Sequence, residues 1–201
     1  MSEQINQNQP VQEEVSLSEL LQVRRDKLAE LQEAGNDPFA VTKYAVTHHS
    51  TEIKDNFETL EEKPVSVAGR LMSKRGMGKV VFADLQDGEG RIQLFVKIDE
   101  VGEDVLAAFK KYDIGDIVGV DGVVFRTKMG EISIRAKSIT LLSKSLRPLP
   151  EKFHGLTDLE TRYRQRYVDL MVNPEVKRNF IIRSKFIQFM RKYLDNMNYI
   201  E

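Results

Sequence analysis

Three stretches of period-two hydrophobicity, a short helical segment and two further such stretches, in that order, predict a five-stranded Greek-key barrel of the OB type. Helices stand before it and after it. Three observations carry this prediction. Apolar residues alternate along Val81, Ala83 and Leu85 and along Ile92, Leu94 and Val96. Turn signals interrupt the alternation at Asp87-Gly88-Glu89-Gly90 and at Lys128-Met129-Gly130. Outside residues 64–146 the apolar spacing becomes that of amphipathic helices.

Residues 1–15, rich in Gln, Asn and Glu and poor in aromatics, read as a disordered tail. Ser16 and Glu19 have capping-box spacing and open a helix to about Ala34, with Gly35 at the C′ position and Pro38 preventing resumption. Its stripe of Leu17, Leu20, Leu21, Leu28 and Leu31 predicts packing on a neighbouring domain. A shorter helix is expected from Ser50 to about Glu62, completing an N-terminal helical segment over 16–63. Within the barrel the first strand begins at Pro64 and ends before a loop at Ser73–Gly78. A helical piece runs from Val101 to Lys111, and the last two strands are Ile117–Phe125 and Ile132–Leu142.

Pro148 and Pro150 force an extended linker over 147–156. Thr157 and Glu160 repeat the capping-box spacing, and the helix they open carries Leu159, Tyr163, Tyr167, Leu170 and Met171 on one face. Asp158–Arg162 and Glu160–Arg164 are i,i+4 pairs there. Asn173-Pro174-Glu175 starts a longer helix to about Asn196, with an N-cap, a proline at N1 and an acid in the first turn. Phe186, Phe189, Met190 and Tyr193 belong to its broad apolar stripe. Tyr199-Ile200-Glu201 reads as the start of a strand.

Composition narrows the function classes. No apolar run is long enough to span a bilayer, and the polar, acidic start lacks a signal-peptide core. With no cysteine there are no disulfides or thiolate metal sites, which fits a reducing, cytoplasmic setting. His48 and His49 are adjacent and His154 is distant, so no metal-ligand spacing exists. The formal net charge of −1 hides an asymmetry: residues 1–62 carry 13 Asp/Glu against 5 Lys/Arg, and residues 63–201 carry 18 against 25. The second region is therefore the one that would attract a polyanion.

Strand parity supplies the chemistry. With Val81, Ala83 and Leu85 inside the barrel, Phe82 must point outward. Gln93 and Phe95 do likewise on the third strand, and Glu131 stands outside at the start of the fifth. An exposed ring, an amide and a carboxylate on one face suit a flipped-out base. The ring stacks, worth about 1–3 kcal/mol, and the polar groups read hydrogen-bonding edges. Arg70, Lys74, Arg75, Lys79 and Arg91 surround the patch and would hold phosphates. A solvated polar face with one stray Phe would carry the same residues, since surface aromatics need no special cause. Gly76-Met77-Gly78-Lys79 is no phosphate loop, lacking the earlier Gly and the Ser/Thr after Lys.

Two strings carry a family resemblance. RPLPEKFHGLTDLETRYRQRYVDL, residues 147–170, resembles the junction between the anticodon-binding and catalytic domains of class II lysyl-tRNA synthetases. AGRLMSKRGMGKVVFADLQDGEGRIQLF, residues 68–95, is similar to the anticodon-binding strands of the lysyl, aspartyl and asparaginyl subclass. The resemblance implies that Phe82 stacks on the central anticodon uridine, that Gln93 and Glu131 contact that base, and that Arg75 contacts the anticodon. It implies tRNA(Lys) as partner and a homodimer contact through motif 1, carried here by the last helix and the residues after it, within a truncated catalytic start over 157–201. ATP and Mg²⁺ are implied for a complete enzyme. Motifs 2 and 3 do not occur in the sequence, so no catalytic residue and no cofactor are assigned within it. A stand-alone OB module for single-stranded nucleic acid is the competing reading.

Overall fold

The period-two segments pair into a closed barrel. In a computed structural model describing residues 17–150, 156 and 158–201, the strands are β1 (Pro64–Met77), β2 (Val80–Gln86), β3 (Arg91–Lys97), β4 (Ile117–Arg126) and β5 (Ile132–Ser143). Their order round the barrel is β1-β2-β3-β5-β4, with β1–β4 closing it and β3–β5 the parallel pair. The expected tail, the Ser16 cap, His154, Thr157 and residues 151–155 of the linker lie outside the described residues.

Alternation fills the interior. Val67, Leu71, Val81, Ala83, Leu85, Ile92, Leu94, Val96, Val118, Val120, Val124, Ile134 and Ala136 are all buried. Each larger one contributes about 1.5–3 kcal/mol of apolar burial. Short helices cover the barrel's openings. α2 (Ser50–Asp55) and α3 (Phe57–Leu60) bury Ile53 and Phe57; they break at Asn56, where one continuous helix was expected. α4 (Ile98–Val101) and α5 (Glu103–Lys111) are likewise separated by Gly102, and α5 buries Leu106 and Phe109. Asp87 ties the β2–β3 turn to α2. Its carboxylate accepts from Glu89 N, Gly90 N, Ser50 N and Ser50 Oγ at 2.6–2.9 Å.

α1 (Leu17–Glu33) ends in a Schellman motif: Asn36 N donates to Leu31 O (2.8 Å) and Gly35 N to Gln32 O (3.0 Å), with Gly35 at φ +74°. Its predicted leucine stripe is only partly covered. Leu17 and Leu20 are exposed, and the half-buried positions are Leu21, Arg24, Lys27, Leu28 and Leu31. Attachment is largely polar. Arg24 donates to Ser145 O (2.8 Å) and Ile114 O (3.2 Å), while Lys27 pairs with Asp113 at 2.7 Å. Asp113 also accepts from the buried Lys144, which pairs with the buried Asp116 at 2.8 Å. Burial alone would raise the Asp113 pKa, but hydrogen bonds from Lys144 and Lys27 hold it below the usual range.

The described chain falls into two compact units, the second beginning at Leu149. It contains α6 (Leu159–Arg164), α7 (Arg166–Val172) and α8 (Pro174–Asp195). A single helix was expected where α6 and α7 break at Gln165. Asp158 caps α6 itself, accepting from Thr161 N at 2.7 Å, so it is not the partner of Arg162. The RYRQRY string is organised by Asp169, whose side chain is fully buried. Arg162 Nε (3.1 Å), Arg166 and Asn173 Nδ2 (2.6 Å) all donate to it. Asn173 thus spends its side chain on Asp169 and makes no side-chain cap for α8. Arg166 is also layered between Tyr163 and Phe180, at 5.0 and 5.3 Å from the ring centroids. Glu160 and Arg164 pair as expected, at 2.7 Å. α8 closes with Asn198 in the left-handed region (φ 63°), Tyr199 N donating to Leu194 O at 3.1 Å. The expected strand at Tyr199–Glu201 does not form; a strand needs a hydrogen-bonding neighbour, and none stands beside it among the described residues.

Candidate nucleic-acid interface

The outer barrel face is built by register. Phe82 lies opposite Arg75 on β1 and opposite Phe95 on β3, and Phe95 lies opposite Arg135 on β5. One step along, Asp84 faces Gln93, Gln93 faces Ser133, and Ser133 faces Phe125 on β4. All the side chains flanking Phe82 on its own strand point inward, as parity requires.

Arg75 reaches this face through a bulge. The β1–β2 register shifts between Leu71 and Ser73, so Met72 is an extra residue in β1. Leu71 points inward opposite Leu85. Beyond the bulge Ser73 pairs with Asp84 on the outside, Lys74 with Ala83 on the inside and Arg75 with Phe82 on the outside. Unbroken alternation from Leu71 would have turned Arg75 into the barrel. The loop expected at Ser73–Gly78 is therefore mostly strand. The turn itself is Gly78-Lys79, with Gly78 at φ +61° and Lys79 exposed three residues before Phe82.

The other expected cations go elsewhere. Lys74 Nζ donates to Phe109 O (3.2 Å), Lys110 O (2.8 Å) and Tyr112 O, which caps the C-terminus of α5. Burial lowers its pKa. Arg70, at the opposite end of β2 from Phe82, gives its guanidinium to Gly115 O at 2.6 Å, and burial lowers its pKa too. Arg91 bonds Gln86 Oε1 at 2.8 Å, also at that far end. Arg75 and Lys79 are the cations nearest Phe82 on this face that carry no side-chain bond among those described.

Polar groups lie farther along, toward the start of β5. Ser133 Oγ donates to Gln93 Oε1 at 2.9 Å, leaving the amide nitrogen as the outward donor. Glu131 stands exposed two residues before Ser133, with Lys54 Nζ 3.8 Å from its carboxylate. A donor amide and an accepting carboxylate suit a base edge that alternates carbonyl and N–H. Phe125 and Arg135 escaped the sequence reading of the site. The same alternation that put Ile134 and Ala136 inside places Arg135 outside, so that signal was present. Phe95 and Phe125 meet at 5.6 Å between centroids, across β5 at the small, buried Ser133. Phe82 and Phe95 are 5.3 Å apart.

On α8, Phe186, Phe189, Met190 and Tyr193 are exposed on one face, with Phe189 and Tyr193 stacked at 6.3 Å. Among the described residues no three Asp, Glu or His side chains gather to hold a metal ion. No helix there is long and apolar enough to cross a membrane.

Comparison with known proteins agrees with this architecture. The family model described as OB-fold nucleic acid binding domain matches residues 65–142, and that described as tRNA synthetases class II (D, K and N) matches 158–201. The chain is 60% identical over 188 residues to a lysine–tRNA ligase of Clostridium perfringens, covering 94% of this chain and 38% of the relative. The relatives it resembles are lysine–tRNA ligases. Similar enzymes so named in Pelotomaculum thermopropionicum and Moorella thermoacetica are each 54% identical, over 94% and 92% of this chain and 37% of their own length. The chain thus spans a little over a third of the lysine–tRNA ligases it matches, and its two matched segments are the barrel and the helical unit that follows.

Proposed function

We propose that this chain is the tRNA-selecting part of a lysine–tRNA ligase and that the outer barrel face grips the anticodon of tRNA(Lys). One observation carries the reading: Phe82 stands on the solvent side of the barrel with Arg75 directly opposite, and Gln93 and Glu131 lie farther along toward the start of β5. The central anticodon base stacks on Phe82, the Gln93 amide donates to its carbonyl, and Glu131 accepts its N–H. Arg75 and Lys79 hold backbone phosphates. The complete protein would activate lysine with ATP and Mg²⁺ and transfer it to the tRNA 3′ end. The exposed face of α8 is proposed as part of a homodimer contact, and the cytoplasm as the place of work.

The test is a titration with a hairpin RNA bearing the lysine anticodon. Phe82→Ala and Gln93→Ala each weaken binding by at least about 1 kcal/mol; in the parent chain the two side chains together make a wrong central base cost on the order of a hundredfold in affinity. Unchanged curves for both variants would remove the base-reading role. A generic single-strand binder, by contrast, would be indifferent to the base at the anticodon centre.

A further inference from the structure

The outer face holds a second flat surface beyond Phe82. The Arg135 guanidinium lies over the Phe125 ring, with its carbon 4.9 Å from the centroid. Its edge is fixed by Glu62, with Nη2 3.3 Å from Oε1. Glu62 is one of only two non-glycine residues in the left-handed region among those described (φ 56°), and its N–H is tied to Val124 O at 2.9 Å. Such a backbone persists only where its surroundings over-determine it. Here it delivers a carboxylate to the guanidinium edge. Phe125 in turn is braced by Phe95, so a floor, a planar layer and a lateral clamp are all in place before any ligand arrives. Arg135 keeps about a third of its side chain in solvent.

We propose that Arg135 is a second stacking platform and that the anticodon base adjacent to the central one lies on its outer face. This rests on the reading of Phe82 as the first platform. Phe82 and Arg135 stand two strand spacings apart, about 10 Å, with Phe95 between them. Two splayed, unstacked nucleotides of one single strand can seat on these platforms. Guanidinium planes accept bases as aromatic rings do, and Phe125 holds this one flat. A phosphate-binding cation would need neither the ring nor the strained clamp. The combination therefore favours a base over a phosphate as the occupant.

Arg135→Lys separates plane from charge, because lysine keeps the cation beside Glu62 and loses the flat surface. The variant and the parent chain are titrated by fluorescence anisotropy with the lysine-anticodon hairpin and with three versions, each abasic at one anticodon position. Arg135→Lys should weaken the intact hairpin about fivefold or more. That deficit should vanish on one hairpin alone, abasic at a position flanking the centre, and persist on the hairpin abasic at the centre. Phe125→Leu, which removes the floor, should reproduce the pattern. Equal affinity of Arg135→Lys and parent for the intact hairpin overturns the proposal. So does a deficit that persists on every abasic hairpin. The Phe82 reading is judged separately, by whether the Phe82→Ala deficit vanishes only with the central base.

Discussion

Arg75 faces Phe82 across the β1–β2 ladder because Met72 is bulged out of register, and the same bulge turns Lys74 inward to the end of α5. Two adjacent cations thus do separate work. One is offered to solvent beside a ring, and the other is consumed by three carbonyl oxygens.

Salt dependence distinguishes them. Arg75→Ala is expected to reduce the log–log salt slope of RNA binding by about 0.7, the contribution of one neutralised single-strand phosphate. Thermal unfolding should be unaffected. Lys74→Ala is expected to leave the slope alone and to lower unfolding free energy by about 1 kcal/mol through loss of the helix cap. Anisotropy titrations over a salt series, with melting curves, check both.

Asp87 sets an acid limb of stability. Burial pushes its pKa up, but hydrogen bonds from Gly90, Ser50 and Glu89 outweigh that and hold it below the ordinary carboxylate value. A depressed folded-state pKa contributes stability that is fully present above the unfolded pKa and lost as pH falls through the folded one. Asp87→Asn should weaken folding by about 1–3 kcal/mol at neutral pH and flatten the decline below about pH 4. Urea unfolding between pH 3 and 7 measures this.

Asp169 collects Arg162, Arg166 and Asn173. It is shielded from water within a thin layer of three helices, so its surroundings are less apolar than a deep core. Asp169→Asn should cost roughly 1–3 kcal/mol, because two guanidinium groups lose their shared acceptor. Hydrogen exchange should rise across α6 and α7 and stay unchanged in the barrel. Equal protection in both forms would contradict the assigned role.

Gly119 makes room for Tyr44. A Cβ there would sit 2.4–2.7 Å from Tyr44 ring atoms, and the Tyr44 hydroxyl bonds Asp121 Oδ1 at 3.0 Å. Gly119→Ala should displace the ring and destabilise the barrel by about 1–3 kcal/mol. A lowered melting temperature together with a perturbed Tyr44 signal checks it.

Strict alternation made much of this face legible. Phe82, Gln93 and Phe95 had to point outward once their apolar neighbours filled the interior, and the two turns followed from their Gly-containing strings. The bulge was not legible, because one extra residue leaves no mark in the apolar pattern when Met72, Ser73 and Lys74 are all plausible on a strand edge. Without it the roles of Lys74 and Arg75 could not be separated. Asp169 was hidden for another reason. Its partners lie three, four and seven residues away on segments divided by the break at Gln165, and a single helix drawn through that break pairs Arg162 with Asp158 instead. The terminal strand failed because pairing depends on a neighbour that local propensity does not describe.

Helix α1 is held to the barrel chiefly by cations on carbonyl oxygens and carboxylates, and little hydrocarbon is hidden beneath it. Its detachment would add only a small heat-capacity increment, since that quantity follows newly wetted apolar area. Calorimetry of the barrel would then pass over an early, almost silent departure of residues 17–33, whereas their amides would lose protection first. Helix α1 is thus a breakaway strut, whose hold slackens with ionic strength while the cylinder beneath stays shut.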